Sequence, residues 1–174
     1  MKKILAILLC ALMLFALAAC KTDDGYKDDD DNGSSGSKGS KVSFFVTVDN
    51  VKVELGASAD AVIEALGTPK SSSPVGSCGG QGTLTKYVYA SLEVHVLATD
   101  KTSTIDKIVL LDDTVSTPEG IKMGSTENDV KSKLGTPTSK AASSYTYVSG
   151  NKNLIVTFRD GAVVDIDYMV KTAG

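Results

Sequence analysis

The sequence predicts an α+β fold built from tandem helix-plus-antiparallel-sheet repeats, set behind an export leader and a tether. Three observations carry this. A sixteen-residue apolar run follows Lys2 and Lys3 and closes on Leu17-Ala18-Ala19-Cys20. Residues 21–40 hold only one large side chain, Tyr26, among Asp, Gly, Ser and Lys. In the remainder, Val53-Glu54-Leu55-Gly56 returns as Ile121-Lys122-Met123-Gly124, and Leu66-Gly67-Thr68-Pro69 as Leu134-Gly135-Thr136-Pro137. Both pairs lie at an offset of 68, and two segments in one register point to duplication. The expected organisation is a signal peptide at 1–19, a lipidated cysteine and disordered acidic/Gly-Ser tether at 20–40, a first repeat at 41–115 and a second at 116–174.

A charged start, a short apolar core and small residues before the cut describe a secretory signal. The run is short for a spanning helix, which needs roughly 20 residues. Ala-Ala-Cys resembles the lipobox of bacterial lipoproteins, which implies that Cys20 carries a diacylglycerol and becomes the N-terminus. Two or more acyl chains, at about 0.8 kcal/mol per buried methylene, make such an anchor durable. The expected location is the extracytoplasmic face of the cell membrane. Removal of Cys10 with the leader leaves Cys78 as the only free thiol, so no intramolecular disulfide is expected.

The tether carries three lysines and six aspartates, including the run Asp28-Asp29-Asp30-Asp31. Such a segment cannot offset its ordering entropy by burying apolar surface. Tyr26 to Asp31 resembles an acidic epitope tag, although Gly25 and Asn32 replace the expected flanks; a natural spacer is the first reading. From 41 onward there are 13 Lys plus Arg against 15 Asp plus Glu. No basic stripe exists to neutralise phosphates, so nucleic acid is not an expected partner.

In chain order, residues 41–48 alternate as a strand with Val42, Phe44, Val46 and Val48 on one face. A first short helix follows, with Ser58 as its expected cap and Val62, Ile63 and Leu66 as an apolar stripe. Gly67 and Pro69 end it. Strands are expected at 85–89, 92–97 and 105–111. The second helix has Thr126 as cap, Asp129 completing a capping-box variant, and Val130 and Leu134 facing the core. Strands follow at 144–148, 154–158 and 163–170. The expected order is therefore one extra strand, then helix and three strands, twice. At the last strands the offset falls to 58, pairing Ile105 with Val163 and Ile108 with Ile166. Repeat one thus holds about ten extra residues within 70–86, around Cys78-Gly79-Gly80-Gln81-Gly82.

Two sets of residues are candidates for function. Tyr87 and Tyr89 share one strand face, and Tyr145 and Tyr147 the equivalent face in repeat two; together they could line a ligand-binding surface or pack the helices. Cys78, Gly79 and Gly80 form a possible loop site, in which glycine N–H groups could surround a thiolate and lower its pKa. A cysteine nucleophile wants a base, and His95 is the single histidine. It lies on the strand face opposite Leu92, Val94 and Val96. Asp112 and Asp113, and Asp165 and Asp167, read as turn and solubility residues because neither pair has a pocket signature. No metal site, no nucleotide-binding glycine pattern and no cofactor motif is present.

Gly-Ser/Ala-Ser/Thr leading into a short helix that ends Leu-Gly-Thr-Pro resembles the tandem halves of secreted β-lactamase-inhibitor-like proteins and the small SmpA/OmlA lipoprotein domain. Ser77-Cys78, Lys86-Tyr87-Val88-Tyr89, Ile105-Asp106-Lys107-Ile108 and the segment Asp112-Asp113-Thr114-Val115-Ser116-Thr117-Pro118-Glu119-Gly120-Ile121 resemble lipoproteins of Gram-positive anaerobes. The resemblance spans about 51–168. It implies a β-lactamase-inhibitor-like fold, and from the inhibitors a concave sheet surface that grips a protein. The function expected is a lipid-anchored extracytoplasmic binding or scaffold module for a protein or envelope polymer, without enzymatic activity. A thiol-dependent enzyme or redox sensor using Cys78, and a structural envelope spacer, are the alternatives.

Overall fold

A computed structural model describes residues 42–76 and 82–171. All of them belong to one compact unit, Gly36–Gly174. The class is α+β, dominated by antiparallel sheet. A hairpin opens it, β1 (Phe45–Val48) and β2 (Val51–Glu54), turned by Asp49 and Asn50 at positive φ. Then come α1 (Asp60–Leu66), β3 (Ser71–Val75), β4 (Thr83–Val88), β5 (Leu92–Ala98) and β6 (Ser103–Leu110). The second half has α2 (Glu127–Leu134), β7 (Ser139–Lys140), β8 (Ser144–Ser149), β9 (Lys152–Arg159) and β10 (Ala162–Val170).

Eight strands form one sheet in the order β3-β4-β5-β6-β10-β9-β8-β7. The seam is the antiparallel pair β6–β10, with Ile108 opposite Tyr168 and Leu110 opposite Ile166. Backbone bonds recur on the two sides of this seam. Gly56 N–H donates to the Ile105 carbonyl at 2.7 Å, and Gly124 N–H to Val163 at 2.8 Å. Ile105 donates back to Ala57, and Val163 to Ser125. Each of these pairs is related by the same offsets of 68 and 58. A β-bulge also recurs, with Asp106 the extra residue in β6 and Val164 in β10.

Buried side chains alternate along the strands and line up across them. One row runs Leu92, Leu110, Ile166, Val156, Tyr145; the next runs Val94, Ile108, Tyr168, Leu154, Tyr147. All ten are buried, and they join Val46, Val53, Leu55, Ile121, Val130 and Leu134 in a single core. The hairpin, the two helices and the 115–121 segment thus supply the second layer over one sheet face. No described helix is long and apolar enough to cross a membrane.

Several expectations are corrected. Two strands, not one, precede α1, and four follow each helix. Ser71–Val75 reads as loop because Ser-Ser-Ser-Pro has no strand propensity, yet it pairs with β4 along its whole length. As an edge strand it tolerates Pro74. The extra residues of the first half therefore lengthen the β3–β4 hairpin beyond its two-residue counterpart β7. Ser58 is not a helix cap. It bridges Thr104 in the sheet, and Ala59 stands at the N-cap without a side-chain bond. Thr126 does cap α2, in a full box with Asp129.

Candidate functional site

The four tyrosines do not form an exposed surface. Tyr145 and Tyr147 are buried under α2, where the Tyr145 hydroxyl donates to the Glu127 carboxylate and the Tyr147 hydroxyl to the Gly135 carbonyl at 3.3 Å. Tyr89 is 7% exposed, and Tyr87 packs partly buried against the same core. Their shared strand face is the one the helices cover. Burial pushes the Tyr147 hydroxyl up to about 12, with Tyr145 adding to the shift. Lys131 and Lys140 lie over the Tyr145 ring at 5.8 and 5.1 Å from its centroid, and their ammonium groups also reach Glu127. This is a clamp that holds α2 to β8, not a contact surface.

Cys20 and the loop residues Cys78, Gly79 and Gly80 lie outside the described residues. The loop's last glycine, Gly82, is described and has φ of +123° at the start of β4. A Cβ there would overlap the Ala98 carbonyl, so this glycine serves close backbone approach to β5 rather than to a ligand.

The opposite face of the sheet carries the polar chemistry. Its rows run Val88, Glu93, Val109, Asp167, Ile155, Thr146 and Lys86, His95, Lys107, Met169, Asn153, Val148. The antiparallel register brings residues from four strands and both halves into one patch. His95 Nε2 lies 2.6 Å from the Glu93 carboxylate, and Lys86 approaches the same carboxylate at 3.6 Å. Across the seam, Lys107 pairs with Asp167 at 2.9 Å. The side chains of His95, Asp167 and Glu93 are only 14%, 18% and 19% exposed, although no described element covers them.

Two further carboxylates flank this patch, Asp106 at the β6 bulge and Asp165 on β10. Neither forms an ion pair among the described residues. Burial raises the pKa of Asp106, partly offset by His95. Burial also raises Asp165, with the like charge of Asp167 adding and Lys107 opposing. Among the described residues, no three His, Cys, Asp or Glu side chains are grouped to hold a metal ion. The arrangement is suited to recognition by complementary charge: one row carries the anions Glu93 and Asp167 with aliphatic side chains between and beside them, and the neighbouring row carries the cations Lys86 and Lys107.

His95 was legible in the sequence as a residue of the face opposite Leu92, Val94 and Val96; Asp165 and Asp167 read as turn and solubility residues, and the structure places Asp167 in the patch and Asp165 beside it. Glu93, Lys86, Lys107 and Asp106 were missed. For Glu93, Lys86 and Lys107 the signal was parity, since each occupies the polar alternation of its own strand, but the pairing partners are nonlocal; Asp106 has the parity of buried Ile108 and Leu110, and only the bulge sets it apart from them.

No protein-family model matches the chain, and no curated protein matches it. Among solved structures the chain is similar to the crystal structure of a DUF4309 family protein, YjgB, from Bacillus subtilis, at 18% identity and a TM-score of 0.40. The match covers 66% of this chain and 79% of that one.

Proposed function

We propose that the chain is a lipid-anchored extracytoplasmic binding module that engages a protein or envelope polymer through the open face of its sheet. The observation that carries this reading is the half-buried charge patch of Lys86, Glu93, His95, Lys107 and Asp167 on a face that no described element covers. Side chains already held by ion pairs lose less freedom when a partner docks. A row of anions beside a row of cations fixes the register of a partner and repels mismatched ones. A polypeptide that presents cations to the Glu93–Asp167 row and anions to the Lys86–Lys107 row suits them best.

The anchor is Cys20, and the acidic segment that follows stands the domain off the headgroups. The architecture proposed for the domain is a duplication in the manner of the β-lactamase-inhibitor-like proteins, α1 with β3 to β6 and α2 with β7 to β10. It is supported by the recurring bonds at Gly56 and Gly124, the bulges at Asp106 and Val164, and the matched glycines that close the two helices, Gly67 at φ 75° and Gly135 at φ 78°.

Photo-reactive residues placed singly at Val109 and Ile155 on the open face, and at Lys131 on α2, test the surface in intact cells. A discrete crosslinked product from the first two positions, absent at Lys131 and lost in Glu93→Gln/Asp167→Asn, is expected. Equal crosslinking from Lys131, or none from the open face, would sink the proposal. Cys20→Ala should independently move the protein from the membrane fraction to the soluble one.

A further inference from the structure

The open face is complementary to itself. Its anion row, Glu93 and Asp167, lies beside its cation row, Lys86 and Lys107, with His95 between the two lysines. The rows are two residues apart along each strand, about 6.8 Å at 3.4 Å per residue. A second copy, turned over by a two-fold axis parallel to the rows, sets each anion row on the other copy's cation row. Glu93 then faces the second copy's His95 and the lysines beside it, and Asp167 lies next to the second copy's Lys107. A two-fold axis parallel to the strands does the reverse, laying anions on anions and cations on cations. Electrostatics therefore selects one of the two face-to-face pairings. Strand β10 repeats this complementarity along its length. With Ile166 and Tyr168 buried, it presents Asp165, Asp167, Met169 and Lys171 to the open side in turn. Reversal about Tyr168 sets Asp165 on Lys171 of the second copy and Asp167 on Met169. Neither Asp165 nor Lys171 forms an ion pair among the described residues.

We propose that the open face docks on the open face of a second copy of this chain, in a closed two-fold dimer whose facing strands run antiparallel within about 30°. The inference rests on the reading of this face as a docking surface and names its occupant. Val109, Ile155 and Met169 supply apolar contact between the charged positions. From β4 to β8 the patch spans about 24 Å at ~4.8 Å between strands, and along β10 about 20 Å, so each copy contributes roughly 500 Å². A standard interface takes about 800 Å² from each partner. The pair is therefore weak, dissociated in dilute solution and formed where copies are concentrated.

The test uses purified full-length protein at about 1 mM, the range that short tethers impose on neighbouring molecules. Ordinary and isotope-labelled copies are mixed, each with a photo-reactive residue at Ile155. The expected product has twice the mass of the chain, and its mixed-isotope peptides join position 155 to β9 of the second copy, where Asn153 lies opposite. Lys86→Glu/Lys107→Glu and Glu93→Lys/Asp167→Lys should each reduce the product at least fivefold, and an equimolar mixture of the two should restore it. Lys171→Glu alters an exposed side chain without disturbing the fold, and should reduce the product at least twofold. The inference is overturned if no mixed-isotope product forms, or if it maps to β5, as the strand-parallel axis requires. It is equally overturned if Lys171→Glu and the folded charge-reversed variants crosslink as the parent does. In intact cells, a product from Ile155 with a different protein or a polymer, and none of twice the chain mass in either setting, overturns self-pairing and leaves the open-face reading standing. No crosslink of any kind sinks both.

Discussion

Asp106 and Asp165 carry carboxyl groups at positions where their neighbours partly shield them from water. Burial is the first cause of the raised pKa of each. A carboxyl whose folded-state pKa lies above its unfolded value holds its proton more tightly in the folded chain. Its ionised form therefore weakens folding above the folded-state pKa, and the penalty vanishes below the ordinary value near 4. Asp106→Asn with Asp165→Asn should raise Tm at pH 7 by roughly 2–4 °C. By about pH 3 the gain should disappear. Thermal unfolding at both pH values checks this, and an equal gain at both would show that charge is not the cause. Glu127 and Asp129 run the other way. Hydrogen bonds from Tyr145 and Thr126 lower their pKa values, so their stabilisation is present above the ordinary carboxylate range and is lost as pH falls through the lowered values.

The two helices are similar in length but differ in how they are secured. Thr126 and Asp129 satisfy each other's backbone N–H groups at the start of α2, and Val130 and Leu134 bury its inner face. The seven residues of α1 have no side-chain cap and no fully buried side chain. Helices of two turns do not persist alone, so tertiary contact and capping decide their stability. Amides of α1 should exchange with solvent faster than those of α2. Thr126→Ala should narrow the gap and cost about 1 kcal/mol in denaturant unfolding. Equal exchange in the parent protein would contradict this reading of the caps. The capping box was legible because it is local, three residues apart in sequence. Strand β3 was not, because Ser71–Ser73 becomes a strand only through the partner that β4 presents.

The whole unit depends on one seam. The buried rows cross from β5 through β6 and β10 to β8 without a break, and Ile108 opposite Tyr168 sits at their middle. Removing the Ile108 side chain opens a cavity shared by both halves. Ile108→Ala should cost about 2–5 kcal/mol and lower a single unfolding transition. Calorimetry that resolves two separated transitions would show instead that the halves unfold independently. The same seam assembles the open-face patch, since Lys107 belongs to one half and Asp167 to the other. Loss of pairing between β6 and β10 would therefore remove the patch along with the core.

Sequence alone determined the α+β class, the cap of α2, and the alternation that separates Leu92, Val94 and Val96 from His95. These are short-range properties, set by helix and strand periods and by hydrogen bonds a few residues apart. Tertiary structure decided the rest. Period two distinguishes two faces of a strand but not which of them a helix covers, so Tyr145 and Tyr147 could be surface or core until α2 was seen to lie on them. Register decided that Glu93, His95, Lys107 and Asp167 meet, because successive pairings place Glu93 and Asp167, 74 positions apart in sequence, in one row.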